Sequence, residues 1–139
     1  MHLLDTDTLS YLHAGHPKVM ERLGKLDDPE VGITIITKIE LLRGRFEFLL
    51  KAANSNELLK AQHWLTVTEA LLEPLLVIPI DEKAAMQFDR LRKTPALRKI
   101  GRADLLIASI ALSHQATLVS RNLRHFSQIS YLKVANWVD

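Results

Sequence analysis

The segment Val31-Gly32-Ile33-Thr34-Ile35 decides the fold class, because its apolar and β-branched residues suit a strand inside a sheet. A helix is predicted to follow it, from about Thr37 to Lys51. The same alternation of short apolar strands with helical segments recurs along the chain. The other predicted strands are Leu3-Leu4, Leu75-Leu76-Val77-Ile78, Thr117-Leu118-Val119-Ser120 and a weaker Leu132-Lys133-Val134.

Strands separated by helices predict a parallel sheet with helices on both faces. We therefore expect an α/β fold, a three-layer α/β/α sandwich around a central parallel sheet of four to five strands. The chain has 139 residues, of which 47% are hydrophobic and 24% charged, an ordinary globular balance. With no internal repeat or linker visible, residues 1–139 are predicted to form a single domain.

Several classes of protein are excluded by composition and motifs. The absence of cysteine excludes disulfides, thiolate zinc sites and a cysteine nucleophile. The six histidines show no HExxH spacing, and neither a G-x-S-x-G elbow nor a glycine-rich phosphate loop occurs. No apolar run approaches the roughly 20 residues of a membrane span, and no basic leader precedes an apolar stretch at the N-terminus. These features predict a cytoplasmic protein with no membrane association.

The net charge of +2 is unevenly distributed. The first 80 residues are slightly acidic, whereas six cations lie close together late in the chain: Arg90, Arg92, Lys93, Arg98, Lys99 and Arg102. Such a cluster could bind phosphates, or it could be a solvated helix end with its loop.

Four polar residues follow predicted strands or open the helices next to them: Asp5, Glu40, Asp104 and Asn122. In an open parallel sheet, functional groups gather at the carboxyl ends of the strands, so this topology could bring all four together. Each also has a structural explanation. Glu40 could complete a capping box with Thr37, Asp104 suits a helix N-terminus, Asn122 could be a turn residue, and Asp7 is expected to be an N-cap.

Asp104 is the least easily explained of the four. Ile107, Ala108 and Ala111 share its helical face, so its carboxylate is expected to point toward the core. If Asp5, Glu40 and Asp104 converged to about 5 Å, each pair would repel by roughly 3 kcal/mol at an effective dielectric constant of 20. A divalent cation would remove that cost, and oxygen ligands alone favour Mg²⁺ or Mn²⁺ over zinc.

The chain resembles the PIN-domain ribonucleases, in particular the VapC-type toxins of bacterial toxin–antitoxin pairs. The resemblance covers nearly the whole chain, in order, and the segments that carry it are Leu3–Ser10, Ile33–Gly44, Ile100–Ala108, Thr117–Phe126 and Leu132–Trp137. It implies a metal-dependent endoribonuclease that cleaves phosphodiester bonds by hydrolysis and leaves 5′-phosphate and 3′-hydroxyl ends.

The resemblance also implies roles for individual residues. Asp5, Glu40 and Asp104 would bind Mg²⁺ or Mn²⁺, and Asn122 would occupy a fourth ligand position. Thr6, Asp7 and Ser120 would support the site, Ser120 by holding a metal-bound water. Many family members have aspartate where this chain has Asn122, or an acid where it has His125, so a single well-occupied metal site is expected here.

Contact with the RNA backbone, without reading of the base sequence, is predicted for Arg102, Arg121, Arg124 and the Arg90–Lys99 segment. The family implies a VapB-type antitoxin as partner, a homodimer, and contact with operator DNA only through the antitoxin. A candidate antitoxin surface is apolar, although the same residues could be interior: Phe46, Phe48, Leu49, Leu50, Trp64 and Leu65.

Two other functions compete with the ribonuclease. Asp5-Thr6-Asp7 after a strand is similar to the first motif of haloacid-dehalogenase-like phosphatases, in which the first aspartate is phosphorylated. That family also needs a downstream lysine and a late acidic pair, where this chain has Ser120-Arg121-Asn122. The second alternative is a catalytically weak PIN-fold interaction module.

Overall fold

The computed structural model describes all 139 residues. Its five strands are β1 (His2–Leu4), β2 (Val31–Thr34), β3 (Leu76–Ile78), β4 (Thr117–Val119) and β5 (Lys133–Ala135). Its α-helices are α1 (Thr6–His13), α2 (Pro17–Lys25), α3 (Ile35–Leu50), α4 (Ser55–Leu72), α5 (Glu82–Arg92), α6 (Arg102–Ser113) and α7 (Leu123–Phe126). None of them combines the length and apolar character that crossing a bilayer requires.

The strands form one parallel sheet in the order β3-β2-β1-β4-β5. This confirms the predicted α/β sandwich, with five strands. The chain passes from β1 to β2 and β3 on one side, and only later adds β4 and β5 on the other. The strand order therefore changes direction between β1 and β4, which are neighbours in the sheet. The carboxyl ends of these two strands form the topological switch point, where α/β sheets have their binding crevice.

Two apolar cores cover the two faces of the sheet. Because side chains alternate along a strand, Leu3 and Leu118 pack with α5 and α6 on one face. Leu4 and Val119 lie in the second core with residues of α1, α2 and α4. The sheet is therefore buried on both sides, as an all-parallel sheet requires.

Two helices begin earlier than the sequence predicts. Asp5, and not Asp7, is the N-cap of α1, because the strand ends at Leu4 and the Asp5 Oδ1 accepts a hydrogen bond from the Thr8 amide at 2.9 Å. Thr34 caps α3, with its hydroxyl accepting from the Thr37 amide at 3.2 Å. The predicted N-cap role of Asp7 is thus wrong, and Glu40 lies in the second turn of α3, outside any capping box.

The C-terminal part of α3 and the middle of α4 present apolar side chains to solvent. Phe46, Phe48, Leu50 and Trp64 are all exposed, with Leu50 reaching 68%. The interpretation of these four residues as interior is therefore wrong. Leu49 and Leu65, which belong to the same predicted surface, are half-buried.

Gly32 lies where β2 packs closely against β3. A Cβ atom at this position would lie 2.3 Å from the carbonyl oxygen of Leu76, its register partner on β3. The close approach fixes the position of β2, and Thr34 at its end begins the helix that carries Glu40.

Gly32→Ala should therefore lower the free energy of unfolding by at least about 2 kcal/mol, roughly 6 °C in Tm for a domain of this size. Gly44, inside α3 with open space around it, is the matched control. Gly44→Ala should raise the free energy of unfolding by about 1 kcal/mol. Thermal unfolding of both variants tests this, and a Gly32→Ala protein as stable as the wild type would contradict it.

Candidate active site

A pocket of about 170 Å³ lies at the carboxyl edge of the sheet, at the switch point between β1 and β4. Its lining is Asp5, Thr6, Asp7, Glu40, Asp104, Ile107, Asn122 and Phe126. The structure thus brings together the four predicted site residues from four separate segments. Larger grooves of about 550 Å³ lie among the helices, but their linings contain none of these four residues. Four carboxylates line the pocket, and no lysine or arginine side chain does.

Asp5 is held at the pocket by the end of β1. Its backbone amide donates to the Val119 carbonyl of β4 at 3.0 Å, and its Oδ1 caps α1 through Thr8. The side chain is half-buried, and its second carboxylate oxygen makes no hydrogen bond within the protein. The cap therefore fixes the orientation of the carboxylate and leaves one oxygen available to a ligand.

Glu40 reaches the pocket from α3 and is fixed by α1. The Thr6 hydroxyl donates to the Glu40 Oε1 at 2.8 Å, across 34 residues of sequence. The family resemblance implies only a supporting role for Thr6, and the sequence does not predict this contact. No local signal could have found it, because the two helices meet only in the folded sheet.

Asp104 lies in the first turn of α6 and is half-buried. Burial raises the pKa of Asp104 above its ordinary value, and the negative charges of Glu40, Asp5 and Asp7 raise it further, with His125 opposing them. No hydrogen bond or salt bridge to the protein compensates the carboxylate. Ile107 and Ala108, which share its helical face, are buried as the sequence predicted.

Asn122 precedes α7 and is held by the β4–α7 turn. Its backbone amide donates to the Oγ of Ser120 at 2.9 Å, and its side-chain amide lies 3.1 Å from the Nδ1 of His125. Ser120 is fully buried and is absent from the pocket lining, so in this structure its hydroxyl acts on the position of Asn122. These contacts leave the Asn122 amide oxygen without a partner in the protein.

The donor set of the pocket suits a hard divalent cation. The polar side chains that line the pocket offer carboxylate, amide or hydroxyl oxygens as metal ligands, and Mg²⁺ and Mn²⁺ prefer such oxygens. No three acidic or histidine side chains stand in a ligand arrangement, and one oxygen each of Asp5 and Glu40 is engaged in a hydrogen bond within the protein. The uncompensated charge of Asp104 is the observation that fits a bound cation best.

The three arginines predicted to bind RNA have different surroundings. Arg121 forms an ion pair with Asp139 at 3.2 Å and donates to the Tyr11 hydroxyl, and its pKa is raised by Asp139. Arg102 lies 5.0 Å from the centre of the Phe88 ring. Arg124 is exposed and has no ion-pair partner. Contact of these arginines with RNA stays a prediction.

Comparison with known proteins assigns the chain to a family. Residues 2–131 match the PIN domain. The chain is 29% identical to the ribonuclease VapC1 of Haemophilus influenzae strain R2866, covering 99% of this chain and 98% of that protein.

Two solved structures are similar over almost their full length. VapBC-1 from nontypeable Haemophilus influenzae matches with a TM-score of 0.82 and 27% identity, covering 99% of this chain and 98% of the other. VapBC2 from Rickettsia felis, bound to a DNA fragment from its promoter, matches with a TM-score of 0.76 and 28% identity, covering 98% of each chain. The chain therefore belongs to the PIN-domain family, as a member of the VapC type.

Proposed function

We propose that this chain is a metal-dependent endoribonuclease, the toxin component of a toxin–antitoxin pair, which hydrolyses RNA phosphodiester bonds. The observation that carries the proposal is the pocket at the switch point, where carboxylates from distant segments meet and no lysine or arginine side chain lies among them. The similar VapC1 protein is named a ribonuclease, which supports the same activity for this chain.

Asp5, Glu40 and Asp104, with the amide oxygen of Asn122, are the residues proposed to hold Mg²⁺ or Mn²⁺. Such an ion lowers the pKa of a bound water and stabilises negative charge on a phosphodiester during in-line displacement. The protein contributes the placement of these side chains at one pocket. The Thr8 amide orients Asp5, the Thr6 hydroxyl orients Glu40, and the first turn of α6 places Asp104 at the pocket.

The neighbouring polar groups are placed to assist binding of the phosphodiester. His125 lies against Asn122 and close enough to Asp104 to lower the pKa of that carboxyl, so its imidazole can approach a phosphate at the pocket. Hydrolysis at this site is proposed to leave 5′-phosphate and 3′-hydroxyl ends. Asp7, exposed at the rim, lines the pocket beside Thr6.

The proposed protein partner is a VapB-type antitoxin. The two similar structures are VapBC proteins, one of them bound to promoter DNA, which supports an antitoxin partner here and contact with operator DNA through that partner. The exposed apolar side chains of Phe46, Phe48, Leu50 and Trp64 offer it a surface. We also propose a homodimer. RNA and operator DNA are cytoplasmic in bacteria, where we propose that the protein acts.

The phosphatase alternative is not favoured. The chain matches the PIN domain over most of its length, and no lysine lines the pocket around Asp5. One oxygen of Asp5 is also engaged in capping α1. A catalytically weak interaction module remains an outcome that the cleavage experiment below would reveal.

Asp104→Asn should reduce Mg²⁺-dependent cleavage of RNA at least about 100-fold, because an acidic ligand is lost. The same change should raise the stability of the metal-free protein by about 1 kcal/mol, since it removes the repulsion from Glu40 and Asp5. Cleavage of total RNA, with and without EDTA, and thermal unfolding in EDTA measure the two effects.

Glu82→Gln is the matched control, because Glu82 is also an acid in the first turn of a helix but lies outside the pocket. It should leave cleavage unchanged and lower stability by at most about 0.5 kcal/mol through the helix dipole. Equal cleavage by the wild type and the Asp104→Asn protein, or no cleavage by either, would contradict the proposed function.

Thr6→Val should weaken Mg²⁺ affinity by about 10-fold, because Glu40 loses the hydroxyl that orients it. Ser10→Ala is the control, since this hydroxyl on the same helix donates to the Thr6 carbonyl and not to Glu40. Calorimetric titration of each protein with Mg²⁺ compares the affinities. Unchanged affinity in the Thr6→Val protein would show that the Thr6–Glu40 hydrogen bond does not position a ligand.

The pKa of Asp104 in the metal-free protein should lie above 3.8, its ordinary value, and Glu40→Gln should lower it. Since the folded-state pKa is the higher one, the stability contributed by protonation is full below 3.8 and is lost as pH rises through the folded pKa. Carboxyl NMR titration in EDTA gives the value directly. Titration of Asp104 at or below 3.8 would refute the predicted crowding of negative charge.

A further inference from the structure

The connection between α5 and α6, with the adjoining helix ends, is a strongly cationic surface, which we name the basic tip (residues 90–102). It contains no acidic residue, and its cations are Arg90, Arg92, Lys93, Arg98, Lys99 and Arg102. All six are exposed, and none belongs to any of the salt bridges of the structure. Arg43 and Arg121, by contrast, are paired with Glu47 and Asp139.

The basic tip lies at the same end of the molecule as the acidic pocket. Helices α5 and α6 are antiparallel neighbours, because Asp81 before α5 lies 3.9 Å from His114 after α6, whereas Phe88 near the end of α5 contacts Arg102 at the start of α6. Asp104 follows Arg102 by two residues. An extended ligand that reaches Asp104 from the α5 side therefore passes over the basic tip.

Uncharged partners hold three of the arginines. Arg92 and Arg102 lie 5.8 and 5.0 Å from the centre of the same ring, that of Phe88, which is only 9% exposed. The Nε and Nη2 of Arg90 donate to the Oε1 of Gln87 at 3.0 and 2.8 Å. Neutral partners restrict the guanidinium groups without neutralising them, so their charge remains available to an anionic ligand.

We propose that the basic tip binds the phosphates of RNA next to the scissile bond, with Arg92 and Arg102 as the principal contacts; this rests on the proposed ribonuclease function. The ligand is a polyanion because it must extend from a cationic surface to a phosphodiester-cleaving pocket. Residues 90–102 include no aromatic ring on which bases could stack, so Arg92 and Arg102 are proposed to contact the RNA backbone. Arg121, neutralised by Asp139, is not part of this surface.

The test is the salt dependence of binding of a fluorescently labelled oligouridylate in EDTA, where no cleavage occurs. In the Arg92→Gln/Arg102→Gln protein, the slope of log affinity against log salt should fall by about 1.4, for two lost phosphate contacts on a single strand. Affinity at about 0.1 M salt should then drop about 25-fold. The Arg92→Lys/Arg102→Lys protein, which keeps the charges, should retain the wild-type slope.

Lys51→Gln/Lys60→Gln is the matched control, because it removes two exposed lysines at the far end of α3 and the start of α4. It should keep the wild-type slope. An unchanged slope in the arginine-to-glutamine protein, or an equal fall in the lysine control, would overturn the proposal. Thermal unfolding of each protein identifies a variant that fails to fold. If the double glutamine variant fails to fold, the single variants Arg92→Gln and Arg102→Gln, each of which leaves one arginine on Phe88, replace it, with an expected fall in slope of about 0.7 each.

Cleavage by the wild-type protein with Mg²⁺ separates this proposal from the proposed function. Cleavage together with an unchanged slope in the arginine-to-glutamine protein would overturn the basic tip alone. A reduced slope without any cleavage by the wild type would overturn the ribonuclease and retain the basic tip as an RNA-binding surface.

Discussion

The repulsion among carboxylates at the switch point is the constraint on which the rest of this structure depends. Asp104 is half-buried, has no partner in the protein, and is surrounded by the charges of Glu40, Asp5 and Asp7. A domain of this size has only about 5–15 kcal/mol of stability, so an arrangement that opposes folding must be offset by the two buried cores. A cation bound in the pocket, which the proposed function requires, would remove this repulsion.

Contacts between remote elements hold this unfavourable arrangement in place. The hydrogen bond from Thr6 to Glu40 joins α1 to α3, and the amide of Asp5 joins β1 to β4. Ser120, fully buried, fixes the start of the turn that carries Asn122. Three of the proposed ligands, Glu40, Asp5 and Asn122, are thus each restrained by a neighbour that is not itself a proposed ligand.

The charge of the molecule is divided between two adjoining surfaces of opposite sign. An acidic pocket repels a phosphate backbone unless a metal ion is present, and the basic tip lies beside it with its charges unpaired. The arginines held on Phe88 keep their positive charge because the ring is neutral. This arrangement separates the attraction of a polyanion from the chemistry on one of its phosphates.

Much of the fold and the identity of the four principal pocket residues could be predicted from the sequence, because both depend on local patterns. Apolar segments of strand length alternate with helical ones, and polar residues follow the strands. The residues at which α1 and α3 begin could not be predicted. By residue type Asp5 and Asp7 are equally good N-caps for α1, and Thr34 and Thr37 are equally good N-caps for α3. Which of them caps a helix depends on where the sheet hydrogen bonds end, and these are contacts between strands.

The sequence by itself determined the layers of the fold, the oxygen-only chemistry of the site and the cationic character of residues 90–102, because these follow from residue type and spacing. Only the tertiary structure decided that Thr6 holds Glu40, that Asp139 neutralises Arg121, and that Phe88 carries two arginines. Each of these pairings joins residues whose separation in space is set by the packing of whole helices and strands. Local sequence contains no information on that separation.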